Sequence, residues 1–149
     1  LDSTTFLADC LPGEGVLTKK KLSQQQEKDV AFGWELAKEM GRLDVGQSVV
    51  VKDKTVLAVE AIEGTNAAIQ RGAQLGKKDV VVVKVAKPSQ DMRFDVPTVG
   101  PGTVQSMISC GARVLAFEAG KTIFIDQENV IASANYHGII IIGVTPMGF

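Results

Sequence analysis

Acidic and cationic side chains gather at three places where apolar runs of the chain give way to polar ones. Glu60 and Glu63 follow one run, Lys84 and Lys87 lie around the end of another, and Asp91, Arg93 and Asp95 fall in the polar stretch 87–98. A hard divalent ion such as Mg²⁺ or Mn²⁺ is held by one or two carboxylates plus phosphate oxygens, while Lys and Arg neutralise the remaining charge of a pyrophosphate. That mixture suits phosphoryl chemistry. Gly64-Thr65 and Gly100-Pro101-Gly102-Thr103 add two candidate helix starts, whose free N–H groups and positive dipole ends attract anions. Neither has the spacing of a Walker or a dinucleotide-binding fingerprint. The same charges also read as solvated or paired groups at strand ends, and Gly near a capped helix start is ordinary. Spacing alone does not choose between these readings.

Other reactive residue types offer less. His137 is the sole histidine, and its place at a predicted helix end points to a dipole interaction rather than metal ligation. Cys10 and Cys110 are a hundred residues apart and have no CxxC spacing, so both read as reduced, structural thiols of a cytoplasmic protein. The Lys19-Lys20-Lys21 run reads first as a solvated stretch and only weakly as a contact to anionic headgroups.

The elements that must position these groups are visible in the patterning. Ser23 with Gln26 three residues later is a capping box, and Val30, Trp34, Ala37 and Met40 then recur at helical spacing, predicting a helix over 24–40. Residues 48–51 and 55–61 form a predicted hairpin around Lys52-Asp53-Lys54. A helix starting at Gly64-Thr65-Asn66 and reaching about Leu75 carries a small-residue face, Ala68, Ile69, Gly72 and Ala73, that permits close approach to a sheet. Residues 80–85 are almost wholly aliphatic, as expected of a central strand covered on both faces. The polar stretch after it is too long for a plain connector, and such loops carry function. Pro101 suits the first turn of a helix with Val104, Met107 and Ile108 on one face, ended by Gly111. Residues 114–118 and 122–125 are predicted to pair around Ala119-Gly120-Lys121, before a helix from about Gln127 that buries Val130, Ile131 and Ala134. Residues 139–144 complete the set as another doubly covered strand. The expectation is a single α/β domain, a mixed sheet with helices packed on it, occupying residues 23–149 behind a lead-in or interdomain linker at 1–22.

Bulk properties narrow the function classes. With 149 residues, 45% hydrophobic and 22% charged, one compact core is expected. The formal net charge of −1 and the few aromatic residues argue against a nucleic-acid partner. No apolar run approaches the roughly 20 residues of a membrane span. Position 1 is Leu rather than Met, so a preceding segment is expected.

Val59-Glu60-Ala61-Ile62-Glu63-Gly64-Thr65-Asn66, Lys84-Val85-Ala86-Lys87-Pro88 and Gln90-Asp91-Met92-Arg93-Phe94-Asp95-Val96-Pro97-Thr98-Val99-Gly100 together resemble the C-terminal domain of UDP-2,3-diacylglucosamine pyrophosphatases. Gly41-Arg42-Leu43-Asp44-Val45-Gly46-Gln47, Glu118-Ala119-Gly120 and Gly143-Val144 extend the similarity, which runs from about Gly13 to Val144. The resemblance implies hydrolysis of UDP-2,3-diacylglucosamine to 2,3-diacylglucosamine 1-phosphate and UMP in lipid A biosynthesis, with Mg²⁺ or Mn²⁺. It implies a cytoplasmic site, with peripheral contact at the inner face of the inner membrane left open. Asp95 matches the family's essential aspartate, and Asp95 and Glu63 are the implied catalytic and metal-binding pair. Gly64, Thr65, Asn66, Lys84, Lys87, Gln90, Arg93 and Thr98 are the implied phosphate- or substrate-binding set. The implied partners are a UDP-linked diacylated glucosamine lipid and an N-terminal domain of the same polypeptide, with a homodimer also open. Two rival readings stay in view: a non-catalytic nucleotide- or anion-binding module that works only with a partner domain, and an interaction domain whose charged loop docks against that partner.

Overall fold

Residues 11–88 and 96–148 are described by the computed structural model, and their local structure follows from the capping and turn chemistry of the sequence. Ser23 Oγ accepts from the Gln26 N–H at 3.1 Å while Gln26 Oε1 accepts from the Ser23 N–H at 2.8 Å. This reciprocal cap launches α1, Gln24–Arg42, two residues longer than its periodicity predicts. The hairpin of β2 (Ser48–Lys52) and β3 (Thr55–Val59) turns at Asp53 and Lys54, both with positive φ. That conformation is costly for residues with a Cβ, and here the buried Asp29 carboxylate of α1 holds it. Its two oxygens accept from the Asp53 and Lys54 N–H groups at 3.0 and 2.8 Å.

The small-residue face of α2, Thr65–Gly76, does what its composition suggests. Ala68, Ile69, Gly72 and Ala73 are its buried residues, and a Cβ on Gly72 would stand 2.5 Å from Val50 Cβ, so the helix backbone lies directly on β2. The chain continues through β4 (Val81–Lys84), β5 (Thr98–Val99), α3 (Pro101–Cys110), β6 (Val114–Glu118), β7 (Ile123–Phe124), α4 (Gln127–Tyr136) and β8 (Ile140–Val144). Gly111 ends α3 in the left-handed region, as a C-terminal glycine should.

These elements build an α/β fold on a mixed six-stranded sheet of order β1-β8-β6-β4-β2-β3, where β1 is Gly15–Val16. The aliphatic strands β4, β6 and β8 run parallel in the centre, and β2 and β1 flank them antiparallel. Helices α2, α3 and α4 cover one face, over Val50, Val82, Leu115 and Ile141. On the other face α1 packs its Val30 and Ala37 against a layer of Val49, Val51, Val81 and Val83.

Two expectations are corrected. Strand β7 does not pair with β6, because β6 already has both edges taken by β4 and β8. It pairs in parallel with β5 as a separate two-stranded ribbon, joined to the core by an edge-on contact between Phe117 and Phe124 at 4.8 Å. The lead-in stretch also contributes to the sheet, since β1 hydrogen-bonds to β8 with Gly15 opposite Gly143. Gly143 is required for that approach: a Cβ there would meet the Gly13 carbonyl oxygen at 2.2 Å.

Candidate functional site

The sheet order sends every relevant strand end to one edge. Strands β3, β4, β6 and β8 finish there, β2 begins there, and the helices that follow β3, β5 and β7 present their N-termini towards it. In open α/β sheets this is where ligands bind.

Lys84 closes β4 at that edge and is 94% buried on the α2–α3 side of the sheet (relative exposure 6%). Its Nζ donates to the Thr98 carbonyl oxygen at 2.7 Å, tying β4 to the start of β5. Burial pushes the Lys84 ammonium below its ordinary value, and the neighbouring Glu60 carboxylate acts in the opposite direction. Glu60, itself buried, leaves β3 beside the start of β2: its N–H donates to the Ser48 carbonyl at 2.9 Å. Thr65 Oγ1 donates to Glu60 Oε1 at 3.1 Å and lies 3.4 Å from Ser48 Oγ. A cation, a carboxylate and two hydroxyls therefore meet where α2 begins. Gly64 caps that helix with φ of +90°, and a Cβ placed there would meet nothing within 4 Å, so its main chain is open to approach by a ligand. Asn66 follows it, exposed in the first turn.

Lys87 and Glu63 make their contacts elsewhere. Lys87 turns towards the end of α1, where its Nζ donates to Asp44 Oδ1 at 3.0 Å and its Cα lies 3.6 Å from a Cβ built on Gly41. Glu63 has both oxygens engaged by the protein, one by Arg71 at 2.6 Å and the other by the Ala61 N–H at 3.1 Å. The Arg71 hydrogen bond holds its carboxyl below the ordinary carboxylate value. Thr98 contributes its carbonyl to Lys84, while its hydroxyl donates to the Val96 carbonyl at 3.0 Å. Gln90, Arg93 and Asp95 lie outside the described residues, as do Asp91 and the apolar pair Phe6-Leu7. Among the described residues, no three His, Cys, Asp or Glu side chains come together as a metal cage.

Comparison with known proteins assigns the sequence to a family. A sequence model described as the LpxI C-terminal domain matches residues 13–142. The chain belongs to that family. It is 38% identical over 140 residues to the UDP-2,3-diacylglucosamine pyrophosphatase LpxI of Caulobacter vibrioides, an alignment covering 89% of this chain and 50% of the relative. The chain thus spans about half the length of the curated relative it matches.

Within this LpxI C-terminal domain, the motif 41–47 has a clear physical role. Gly41 lies beside Lys87 and Pro88, Asp44 pairs with Lys87, and Gly46 lies so close to Glu60 that a Cβ would fall 1.8 Å from its carbonyl oxygen. Gln47 O accepts the Val85 N–H at 2.8 Å. One short connection therefore sets the main chain at both Glu60 and residues 85–88. Sequence reasoning missed Ser48, Lys38 and Glu118 as contributors to this edge. Glu118 ends β6 only 2% exposed, and Lys38 of α1 reaches it at 2.8 Å. The available signal was a carboxylate closing an otherwise apolar strand. No described helix is long and apolar enough to cross a membrane.

Proposed function

We propose that this chain is the phosphate-binding, chemistry-bearing half of a UDP-2,3-diacylglucosamine pyrophosphatase, acting in lipid A biosynthesis. The observation that carries the reading is the buried Lys84 ammonium beside Glu60, Thr65 and the open helix start at Gly64. A buried cation next to a helix N-terminus favours a multiply charged anion, and the family match supplies the class of substrate.

In the proposed reaction, water oxygen bonds to one phosphorus of the anhydride while the bridging P–O bond breaks. The electron pair leaves with the departing phosphate, and the proton of the attacking water passes to a base or to solvent. The products are UMP and 2,3-diacylglucosamine 1-phosphate. Lys84 and the α2 start stabilise the charge that accumulates on the departing oxygen. Asp95 orients the attacking water or binds the ion. Lys87 and Arg93 take up the outer phosphate charge. Bound Mg²⁺ or Mn²⁺ supplies Lewis-acid polarisation of the phosphate oxygens, with Asp95 as its principal protein ligand in this reading and Glu63 available once freed from Arg71. The substrate is a lipid, so the domain is proposed to work at the cytoplasmic face of a membrane, with a preceding domain of the same polypeptide closing the site.

The test is hydrolysis by the complete polypeptide in oxygen-18 water, followed by mass analysis of both products. Metal-dependent UMP release with label on a single product supports the reading and assigns the attacked phosphorus. A second reading, a binding module that needs its partner for chemistry, is favoured by the half-length match. It predicts that residues 1–149 bind UMP or pyrophosphate without turnover and that Asp95→Ala leaves UMP release by the complete polypeptide intact.

A further inference from the structure

The two peptide groups that flank Ala86, just after β4, are held by a buried carboxylate and a half-buried ammonium. Glu118 Oε1 accepts the Ala86 N–H at 2.9 Å, and Lys38 Nζ donates both to that same oxygen at 2.8 Å and to the Ala86 carbonyl at 3.3 Å. Ala86 is itself buried, so neither of its main-chain groups has water as an alternative partner. Lys38 comes from α1, Glu118 from the end of β6, and Ala86 from the exit of β4, so three elements converge on one residue. The remaining Glu118 oxygen faces Lys121 at 3.7 Å, and the Lys38 ammonium lies 5.3 Å over the Trp34 ring.

A carboxylate that is only 2% exposed is an unusual way to satisfy one N–H. A buried ion pair is commonly no more stabilising than apolar residues of the same size, because desolvation offsets the attraction. What it does provide is direction. The fork formed by one carboxylate oxygen and one ammonium orients the two successive peptide planes on either side of the Ala86 Cα, one through its N–H and the other through its carbonyl, which an apolar contact would not do. One residue further on, Lys87 is held to Asp44, and at the other end of the connection Lys84 is held to Thr98. Charged side chains therefore set the direction in which the chain leaves β4 and the place at which it returns.

We propose that Glu118, with Lys38, is a positioning residue for the phosphate-transfer site: it fixes the main chain on both sides of Ala86 and thereby the placement of Lys84 and Lys87, so that turnover depends on it more than substrate affinity does. This rests on the hydrolase reading above. Neither residue is a catalytic residue, since both act through main-chain groups.

The experiment compares Glu118→Leu, Glu118→Gln and Lys38→Met in the complete polypeptide. UMP release gives kcat and KM, and amide exchange of Ala86 gives a readout independent of activity. Glu118→Leu is expected to lower kcat by about 10- to 100-fold, in line with the sensitivity of such reactions to small misplacements, with KM changed less than about three-fold. Glu118→Gln keeps an acceptor for the Ala86 N–H and is expected to recover most of that loss. Ala86 exchange should accelerate in Glu118→Leu while that of Val83 stays protected. Should Glu118→Leu fail to fold, Lys38→Met retains the carboxylate and carries the same test with a smaller fall in kcat. The proposal is overturned if either folded variant keeps wild-type kcat, if Gln does no better than Leu, or if kcat falls only in step with melting temperature. If the wild-type protein releases no UMP, the hydrolase reading fails instead, and unchanged Ala86 exchange in the variants then removes the clamp as well.

Discussion

Replacing Lys84 with Met tests whether the ammonium is held at this edge at a cost. The substitution keeps the length of the side chain and removes the charge. It deletes the 2.7 Å bond to the Thr98 carbonyl, a charged hydrogen bond of about 1.5–3 kcal/mol, and leaves Glu60 with the Thr65 hydroxyl but without a cation. Relief of the ammonium's desolvation offsets part of this, so a net loss of about 1–3 kcal/mol near neutral pH is expected, a fall of about 2–12 °C in Tm for a domain of this size. The pH dependence is sharper than the magnitude. Burial holds Lys84 below its ordinary value of 10.5. Between its folded value and 10.5 the unfolded chain therefore binds more protons than the folded one, and stability from this residue rises with pH. The gap between wild type and Lys84→Met should widen as pH is raised through that alkaline window. Thermal melts across the window in a constant-ionic-strength buffer, with and without pyrophosphate, provide the assay. At ten times its Kd, pyrophosphate should add about 1.4 kcal/mol to the wild type and nothing comparable to the variant. A gap that narrows as pH rises, or equal protection of both proteins by pyrophosphate, would refute the argument that a buried, charge-costly Lys84 forms the anion site.

Four further outcomes are expected. Asp29→Ala removes the carboxylate that accepts from Asp53, Lys54 and Gln25, and should lower the unfolding free energy by about 2–4 kcal/mol in urea titrations with the m-value unchanged. Gly72→Ala drives a methyl to within 2.5 Å of Val50 and should cost about 1–3 kcal/mol, read from the same titrations. Asp95→Ala in the complete polypeptide should abolish UMP release while leaving a cooperative melt within a few degrees of wild type; activity within a few-fold would remove it from the mechanism. Residues 1–149 alone should melt cooperatively yet release no UMP above background, because one wall of a site supplies little effective molarity, and full-rate turnover would defeat the two-domain proposal.

The elements were legible where local chemistry decides them. The Ser23–Gln26 box, the Ala68-Ile69-Gly72-Ala73 face, Pro101 at a helix start and the aliphatic runs of β4 and β8 are all short-range signals, and each element formed where its signal lies. Strand partnership is a different matter. Residues 122–125 carry the pattern of a strand, but nothing in them records that β6 has no free edge, so the ribbon of β5 and β7 could not be read from the sequence. The short β1 was hidden for a related reason: two residues on an edge strand give no periodicity. At the site, Lys84 and the Gly64-Thr65 start were identifiable from their place after apolar runs. Lys38 and Ser48 were not, because their roles depend on partners 80 and 17 residues away.

The four buried charged side chains among the described residues separate structural from functional purpose. Asp29 is the structural case: its oxygens accept the N–H groups of a strained turn on the side of the sheet away from the site, and the turn needs that acceptor. Glu60, Lys84 and Glu118 all lie instead at the ends of strands on the edge where helix N-termini gather. Each of these charges ends or directly follows a largely apolar strand, where its burial carries a desolvation cost. In the proposed function charge is retained there because an edge that receives a pyrophosphate works best with groups already oriented before the ligand arrives. Flexible surface lysines would lose side-chain entropy on binding, whereas Lys84 has lost it on folding. The fold thus carries the desolvation cost of these groups permanently, and the gain appears only when an anion occupies the edge, which is why the pyrophosphate-dependent part of the Lys84→Met melt decides more about function than its stability does.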